Sequence, residues 1–339
     1  MTITLETRPS FSHLADLTTS RGLYEHALFD QPRPEHGYCV DDAARAVVLL
    51  CREPSPDGTA RQLFDRYLNF TIQSVTEQGA CHNRMNDQGQ WTDEPGNGDW
   101  WGRAMWALGV SAVHAQEEEQ RTRSLESFRV VAKTTSPHFM ANTFAALGAG
   151  EVLLTYPTEV AAKKVLVAVK GIFISRTDWP WPQPRLRYSN GSIAEAAMLT
   201  GLALQDTQLF DRGLSWLDFL ISLETRREHF SVAPVRGRGP GEKQMGFDQQ
   251  PIELAAIADA CERALTITND SQWLAEINRA WNWFLGDNDV GVQMFDADTD
   301  GGYDGLQRLG PNQNQGAEST IAMLSTAQRA YQAGQTFDH

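Results

Sequence analysis

Six times in this chain a loop rich in Gly, Asp, Asn and Trp runs straight into an apolar helical stretch, and nearly every junction carries a carboxylate. The junctions read Gly37-Tyr-Cys-Val-Asp-Asp-Ala-Ala-Arg45, Gly98-Asp-Trp-Trp-Gly-Arg103, Ser136-Pro-His-Phe-Met-Ala-Asn142, Ser189-Asn-Gly-Ser-Ile-Ala-Glu195, Phe247-Asp-Gln-Gln-Pro-Ile-Glu253 and Asn312-Gln-Asn-Gln-Gly-Ala-Glu318. Residues 41–51 are apolar almost all round, as a helix buried on most sides must be. Residues 59–73 instead set Leu63, Phe64, Tyr67, Leu68 and Phe70 among Arg61, Asp65, Arg66 and Asn69, which buries one face only. The same alternation pairs 100–115 with 117–133, 137–153 with 158–174, 192–204 with 208–223 and 251–265 with 271–285. A last internal stretch, 315–330, has no following partner, but residues 10–20 can return to supply one.

Internal starts near 41, 100, 137, 191, 250 and 315 recur at roughly 55 residues on average, longer than common solenoid periods. Six two-helix units can close on themselves, whereas an open stack needs polar caps at its ends. The expected fold is therefore all-α: an (α/α)6 toroid, or barrel, of six helical hairpins filling residues 1–339 as one domain. Six inner and six outer helices are expected, with long loops at the inner helices' N-terminal end. The Gly-rich segment Arg236-Gly-Arg-Gly-Pro-Gly-Glu-Lys reads as a mobile loop over the central pocket rather than a linker.

A formal charge of −14 and a pI near 5.0 argue against a nucleic-acid partner or an anionic membrane surface. Cys39, Cys51, Cys81 and Cys261 lack metal-like spacing, which fits reduced thiols better than a disulfide framework. The start Met1-Thr-Ile-Thr-Leu-Glu-Thr-Arg-Pro9 lacks the apolar core of a signal peptide, and no long apolar run follows. A cytoplasmic protein without cofactor or metal is the expectation.

Unpaired N–H groups and the positive end of the helix dipole hold anions at helix starts, so six converging starts would ring a pocket with acids. Asp41 and Asp42 open the first inner helix, with Arg45 one turn on; one acid serves as cap or structural ion pair, leaving the other to face the mouth. Asp99 stands beside Trp100, Trp101 and Arg103 in a pattern that capping alone does not explain. Asp248 and Glu253 flank Gln249 and Gln250, amides suited to neutral hydroxyls, with Pro251 in the first turn. Glu318 lies among amides that can compensate a buried acid, and Glu195 holds the matching place on the fourth inner helix, where a framework role is equally open.

Trp179 and Trp181, from Asp178-Trp-Pro-Trp-Pro182, form a rigid aromatic loop suited to stacking on sugar rings. Asp296, Asp298, Asp300, Gly301 and Asp304 fall on calcium-loop offsets, but Gln307 replaces the bidentate Glu, so a turn-rich loop over the pocket is preferred and Asp304 is read as a ligand contact. His36, His82 and His138 sit unclustered in mouth loops, with His138 taken as a substrate contact.

At Gly37–Ala46, Trp101–Leu108, Phe247–Glu253 and Asn314–Thr320 the chain resembles the six-hairpin glycosidase-like superfamily. More narrowly, it is similar to an (α/α)6 group that occurs alone or fused to glycosyltransferases of the GT-B kind. The resemblance implies a carbohydrate-active toroid, with a glycosyltransferase as a possible functional partner. There is a fainter similarity to sugar 2-epimerases. The reaction expected is hydrolysis of an oligo- or polysaccharide by two carboxylates drawn from Asp42, Asp99, Asp248, Glu253 and Glu318. Inversion is favoured, because many toroidal glycosidases invert. Three alternatives stay open: an epimerase or isomerase using His36 or His138, a phosphorylase whose phosphate would meet Arg103, His138 and Arg236, and a glycan-binding module of polysaccharide synthesis that turns nothing over.

Overall fold

The computed structural model describes residues 10–242 and 246–337. The stretch read for a signal peptide, residues 1–9, lies outside them, as does Lys243 at the end of the Gly-rich segment. Among the described residues twelve α-helices follow one another: α1 (Ser12–Asp16), α2 (Val40–Cys51), α3 (Gly58–Gln73), α4 (Asp99–His114), α5 (Glu118–Val131), α6 (Phe139–Thr155), α7 (Val160–Val169), α8 (Asn190–Leu204), α9 (Thr207–Glu224), α10 (Pro251–Thr268), α11 (Gln272–Phe284) and α12 (Ala317–Phe337). The even-numbered helices pack in the cyclic order α2–α4–α6–α8–α10–α12 and back to α2. The odd-numbered ones lie outside them, α3 on α2, α5 on α4, α7 on α6, α9 on α8 and α11 on α10, while α1 returns to pack on α12. This is the expected (α/α)6 toroid, including the N-terminal segment that completes the sixth hairpin.

Burial follows the sequence pattern. Every residue of α8 from Asn190 to Gly201 is buried, and so is every residue of α4 from Trp101 to Ala112. Outer helices bury one stripe, as α9 does with Leu209, Gly213, Trp216, Leu217 and Leu220. The outer helices are also the well-capped ones: Asp57 accepts from the Ala60 N–H at 2.8 Å and Asp206 from the Leu209 N–H at 3.1 Å.

Small residues set how closely the inner ring packs. A methyl group on Gly102 would run into the Ala141 carbonyl, one on Gly109 into the Gly148 carbonyl, and one on Gly148 into the Met105 carbonyl, so α4 and α6 touch backbone to backbone. Gly191 meets the Ala256 carbonyl in the same way between α8 and α10. Neither backbone can yield without moving a whole helix, so side chains here cost more than ordinary overpacking.

The loops that precede the inner helices are long and carry small two-stranded pairings, such as Tyr38–Cys39 with Arg84–Met85 and Gly305–Gln307 with Gly310–Asn312. The first requires Gly37, whose φ of 69° and closeness to the Met85 carbonyl exclude a side chain. The Asp296–Asp304 loop is likewise a hairpin, pairing Phe295–Asp296 with Gly301–Gly302. No helix among the described residues is long and apolar enough to cross a membrane.

Gly148→Ala is expected to lower stability by about 2 kcal/mol or more in urea unfolding. Gly171→Ala, with nothing within 4 Å of the added methyl, should change it little.

Candidate active site

The inner-helix starts converge at one end of the ring, where side-chain and backbone contacts join them. Asp41 at the start of α2 meets Arg103 of α4 at 3.4 Å. The Ser136 hydroxyl before α6 donates to the Asn97 carbonyl before α4 at 2.6 Å. The Tyr188 hydroxyl before α8 donates to Asp99. Glu253 of α10 accepts from the Ser189 and Asn190 N–H groups that open α8, and Arg45 of α2 reaches Glu318 of α12 at 2.7 Å.

Within this end lies a polar cavity of about 470 Å³. From α2 and the residue before it come Cys39, Asp41, Asp42 and Arg45; from α12 and the turn before it, Gly316, Glu318 and Ser319; Gln250 comes from the residue before α10. Loops add Glu25, His26, Arg84, Asp304 and Asn312. Three local devices hold these groups. Asn83 accepts from the Val40 N–H at 3.1 Å and donates to Asp41 at 3.1 Å, so the loop after α3 caps α2 and orients its first acid. Asp304 accepts from the Gly316 N–H at 2.9 Å and the Ser319 hydroxyl at 2.6 Å, which anchors the link between the 295–302 and 305–312 hairpins to the start of α12. The Glu25 backbone joins both sides, donating to the Gly37 carbonyl and accepting from the Ala317 N–H, each at 3.1 Å.

Arg45 is the centre of the arrangement. Its guanidinium donates to Asp42 through Nη1 and pairs with Glu318 through Nη2, so two carboxylates from the first and last inner helices lie within one guanidinium's span. Burial disfavours the cation, but Glu318 and Asp42 outweigh this and hold the Arg45 pKa above its ordinary value. The Asp42 carboxyl is 2% exposed and its pKa is pushed up to about 6 by burial, against the pull of Arg45. The Cys39 thiol donates to its other oxygen at 3.2 Å. Asp304 is also raised by burial, with the Ser319 and Gly316 hydrogen bonds opposing. Glu318, with its side chain 43% exposed, is the accessible member of the Arg45 pair.

Of the residues singled out in the sequence, Asp41, Asp42, Gln250, Asp304 and Glu318 line the cavity together. Arg103 stands behind them, with its Nε 3.4 Å from Asp41 and its guanidinium covered by the Phe144 ring 3.9 Å away. Asp99 is turned to Tyr188 and lies outside the lining, its pKa raised by burial. Asp248 sits beside the cavity, accepting from Gln307 at 3.4 Å.

Others are corrected to framework. Glu253 is 1% exposed and receives the Ser189 N–H, the Asn190 N–H at 3.1 Å and the Asn190 side-chain amide at 2.8 Å, a clamp between α8 and α10. Gln249 is fully buried, donating to Asp289 at 2.7 Å and to the Gly246 carbonyl at 3.1 Å. Glu195 faces Arg263 at 3.4 Å inside the ring. None of the four tryptophans proposed for sugar stacking lines the cavity. The Trp100 indole donates to the Cys81 carbonyl at 2.8 Å and that of Trp101 to the Gly79 carbonyl at 3.1 Å, which anchors the mouth loop. Trp179 and Trp181 fill the space against Phe219 and Trp216 of α9. His138 is exposed at the start of α6, outside the lining.

The acids of the calcium-like loop diverge. Asp296 accepts from its neighbour's N–H at 2.9 Å, Asp300 from Ser12 at 2.8 Å, and Asp304 turns to α12. Oxygen and sulfur atoms of Glu25, Cys39 and Asp42 do lie within 4.8 Å of one another, but Arg84 and Arg45 already bind the two carboxylates. Glu25, His26 and Arg84 had no sequence signal, since each enters from a loop far along the chain from its neighbours in the cavity. Arg45 had one, its spacing of three from Asp42, but that spacing also describes an ordinary surface pair.

Glu253→Ala would leave three buried donors without their acceptor, and is expected to cost about 3 kcal/mol in chemical unfolding. Glu318→Gln, at an exposed side chain, should cost much less.

No family model and no curated protein matches this sequence. Solved structures do. A sugar epimerase from a ruminal bacterium superposes with a TM-score of 0.71 at 10% identity, over 94% of each chain. Cellobiose 2-epimerase from Spirochaeta thermophila gives 0.69 at 10% identity, over 96% of this chain and 93% of the other. The GH76 α-mannanase of Bacteroides thetaiotaomicron gives 0.68 at 11% identity, over 97% and 95%. Identities this low establish shared architecture alone: the chain has the (α/α)6 toroid found in six-hairpin glycosidases and in sugar epimerases.

Proposed function

We propose that the protein is a carbohydrate-active enzyme, a glycoside hydrolase acting on an oligo- or polysaccharide through Asp42 and Glu318. The observation that carries this is the pair of carboxylates on one guanidinium in the wall of a polar cavity, one of them with its pKa pushed up to about 6. A carboxyl in that range keeps enough of its proton near neutrality to donate it to the glycosidic oxygen as the bond breaks. Glu318 then takes a proton from the attacking water, whose oxygen forms the new bond at the anomeric carbon. Arg45 orients both groups. Gln250, Asn312 and Asp304 supply donors and acceptors for ring hydroxyls. The α-mannanase and cellulases among the similar structures support the reading by precedent of fold.

A second reading is favoured by one specific observation. His26 lines the cavity with its ring centroid 4.9 Å from that of His36, and its pKa is lowered by burial, then by His36 and Arg33. A neutral imidazole there can serve as the base for proton transfer at a sugar C2, as an epimerase requires.

Product chromatography after incubation with α- and β-linked mannans, glucans and arabinans separates the two. Under the hydrolase reading Asp42→Asn and Glu318→Gln each lower turnover by about 100-fold or more, while His26→Ala has a small effect. Under the epimerase reading no glycan is cleaved, reducing sugars take up solvent deuterium at C2, and His26→Ala abolishes the exchange. Because the hydrolytic acid must be protonated, kcat/KM should fall by about tenfold per pH unit above the Asp42 value of about 6.

A further inference from the structure

We infer that a small crevice behind the cavity, with the Arg103 guanidinium as its principal donor, binds an oxyanion, either a free phosphate-like ion or an acidic group carried by the sugar. The inference rests on the glycan reading above and adds the charge of what the site receives. The crevice, about 40 Å³, shares Arg45 and Glu318 with the acid-lined cavity and therefore adjoins it along the ring axis. That volume is room for about three water-sized groups, the size of a carboxylate or a compact oxyanion.

Arg103 is 2% exposed, and both its Nε and Nη2 lack a hydrogen-bond acceptor among the described residues. Its closest carboxylate, Asp41 at 3.4 Å from Nε, attracts it without meeting hydrogen-bond geometry. Arg45 Nε is unpartnered as well. Buried guanidinium groups are ordinarily saturated with acceptors, because each missing bond carries the full cost of desolvating the donor. The acids that line the crevice are already engaged, Glu318 with Arg45 at 2.7 Å and Asp259 with Arg52 at 2.6 Å and Arg329 at 2.8 Å. Ser189 and Ser192, both nearly fully buried, add hydroxyls to the wall. Burial, then the neighbouring Arg45 charge, pull the Arg103 pKa down to about 10, against Asp41, Glu318 and Asp99.

Isothermal titration of the full chain with sodium phosphate, glucuronate and glucose, at fixed ionic strength, tests this without any turnover. It therefore stands or falls apart from hydrolysis. The expected result is saturable binding of phosphate or of glucuronate, with glucose weaker than glucuronate, and a loss of about tenfold or more in Arg103→Gln. Phosphate binding identifies a free ion, and glucuronate binding without phosphate binding an acidic sugar. Should Arg103→Gln fail to fold, the wild-type Tm in phosphate or glucuronate against chloride gives the answer, with a rise expected. Binding of neither anion, no rise in Tm, or equal affinity in a folded Arg103→Gln would overturn the inference.

Discussion

The ion pair of Arg45 with Glu318, set beside that of Arg45 with Asp42, joins the two ends of the helical ring at the place where the cavity forms. α2 and α12 are far apart in sequence, and their meeting is what turns a row of hairpins into a toroid. A buried pair of this kind adds little net stability, since desolvation offsets much of the attraction. Breaking it is another matter: without Arg45, Asp42 would lie buried beside a second acid with no cation to balance them. The same contact that closes the ring therefore holds the two carboxylates together and opposes the burial that raises the Asp42 pKa.

Around that contact the buried charges fall into two groups. Toward the C-terminal ends of the inner helices, Arg52 and Arg329 share Asp259, and Arg263 binds Glu151 and Glu195. These charges pair with one another, although Arg263 Nε and Glu195 Oε2 carry no hydrogen bond among the described residues. At the N-terminal end the cations are outnumbered by groups that face a cavity, and several donors are left without acceptors. The proposed chemistry lies at the end where the loops enter, which is where sequence can vary without disturbing the frame.

Much of the architecture was legible in the sequence because buried and half-buried helices leave different periodicities: 41–51 apolar throughout, 59–73 striped. Even the returning N-terminal partner was readable, although α1 proved only a short helix, Ser12–Asp16. The site was legible in part. Asp42, Glu318 and Glu253 share one signature, an acid in the first turn of a buried helix. That position favours an anion whether it clamps a neighbour or faces a cavity. Only the tertiary arrangement separates them: Glu253 points at the open N–H groups of α8, and Glu318 at Arg45. The tryptophans misled for a related reason. Asp178-Trp-Pro-Trp-Pro182 suits stacking on a sugar, but an indole fills space between loop and helix equally well, and α9 offered Phe219 and Trp216.

The proposed acid role of Asp42 requires both its place in the cavity wall and a raised affinity for its proton, and the second can be observed without knowing the substrate. Carboxyl carbon NMR of protein labelled at aspartate, with Asp42 assigned by the Asp42→Asn spectrum, follows that group alone through a pH titration. A midpoint near 6 is expected from its burial against Arg45. A midpoint at the ordinary aspartate value of about 3.9 would contradict the assignment of Asp42 as proton donor.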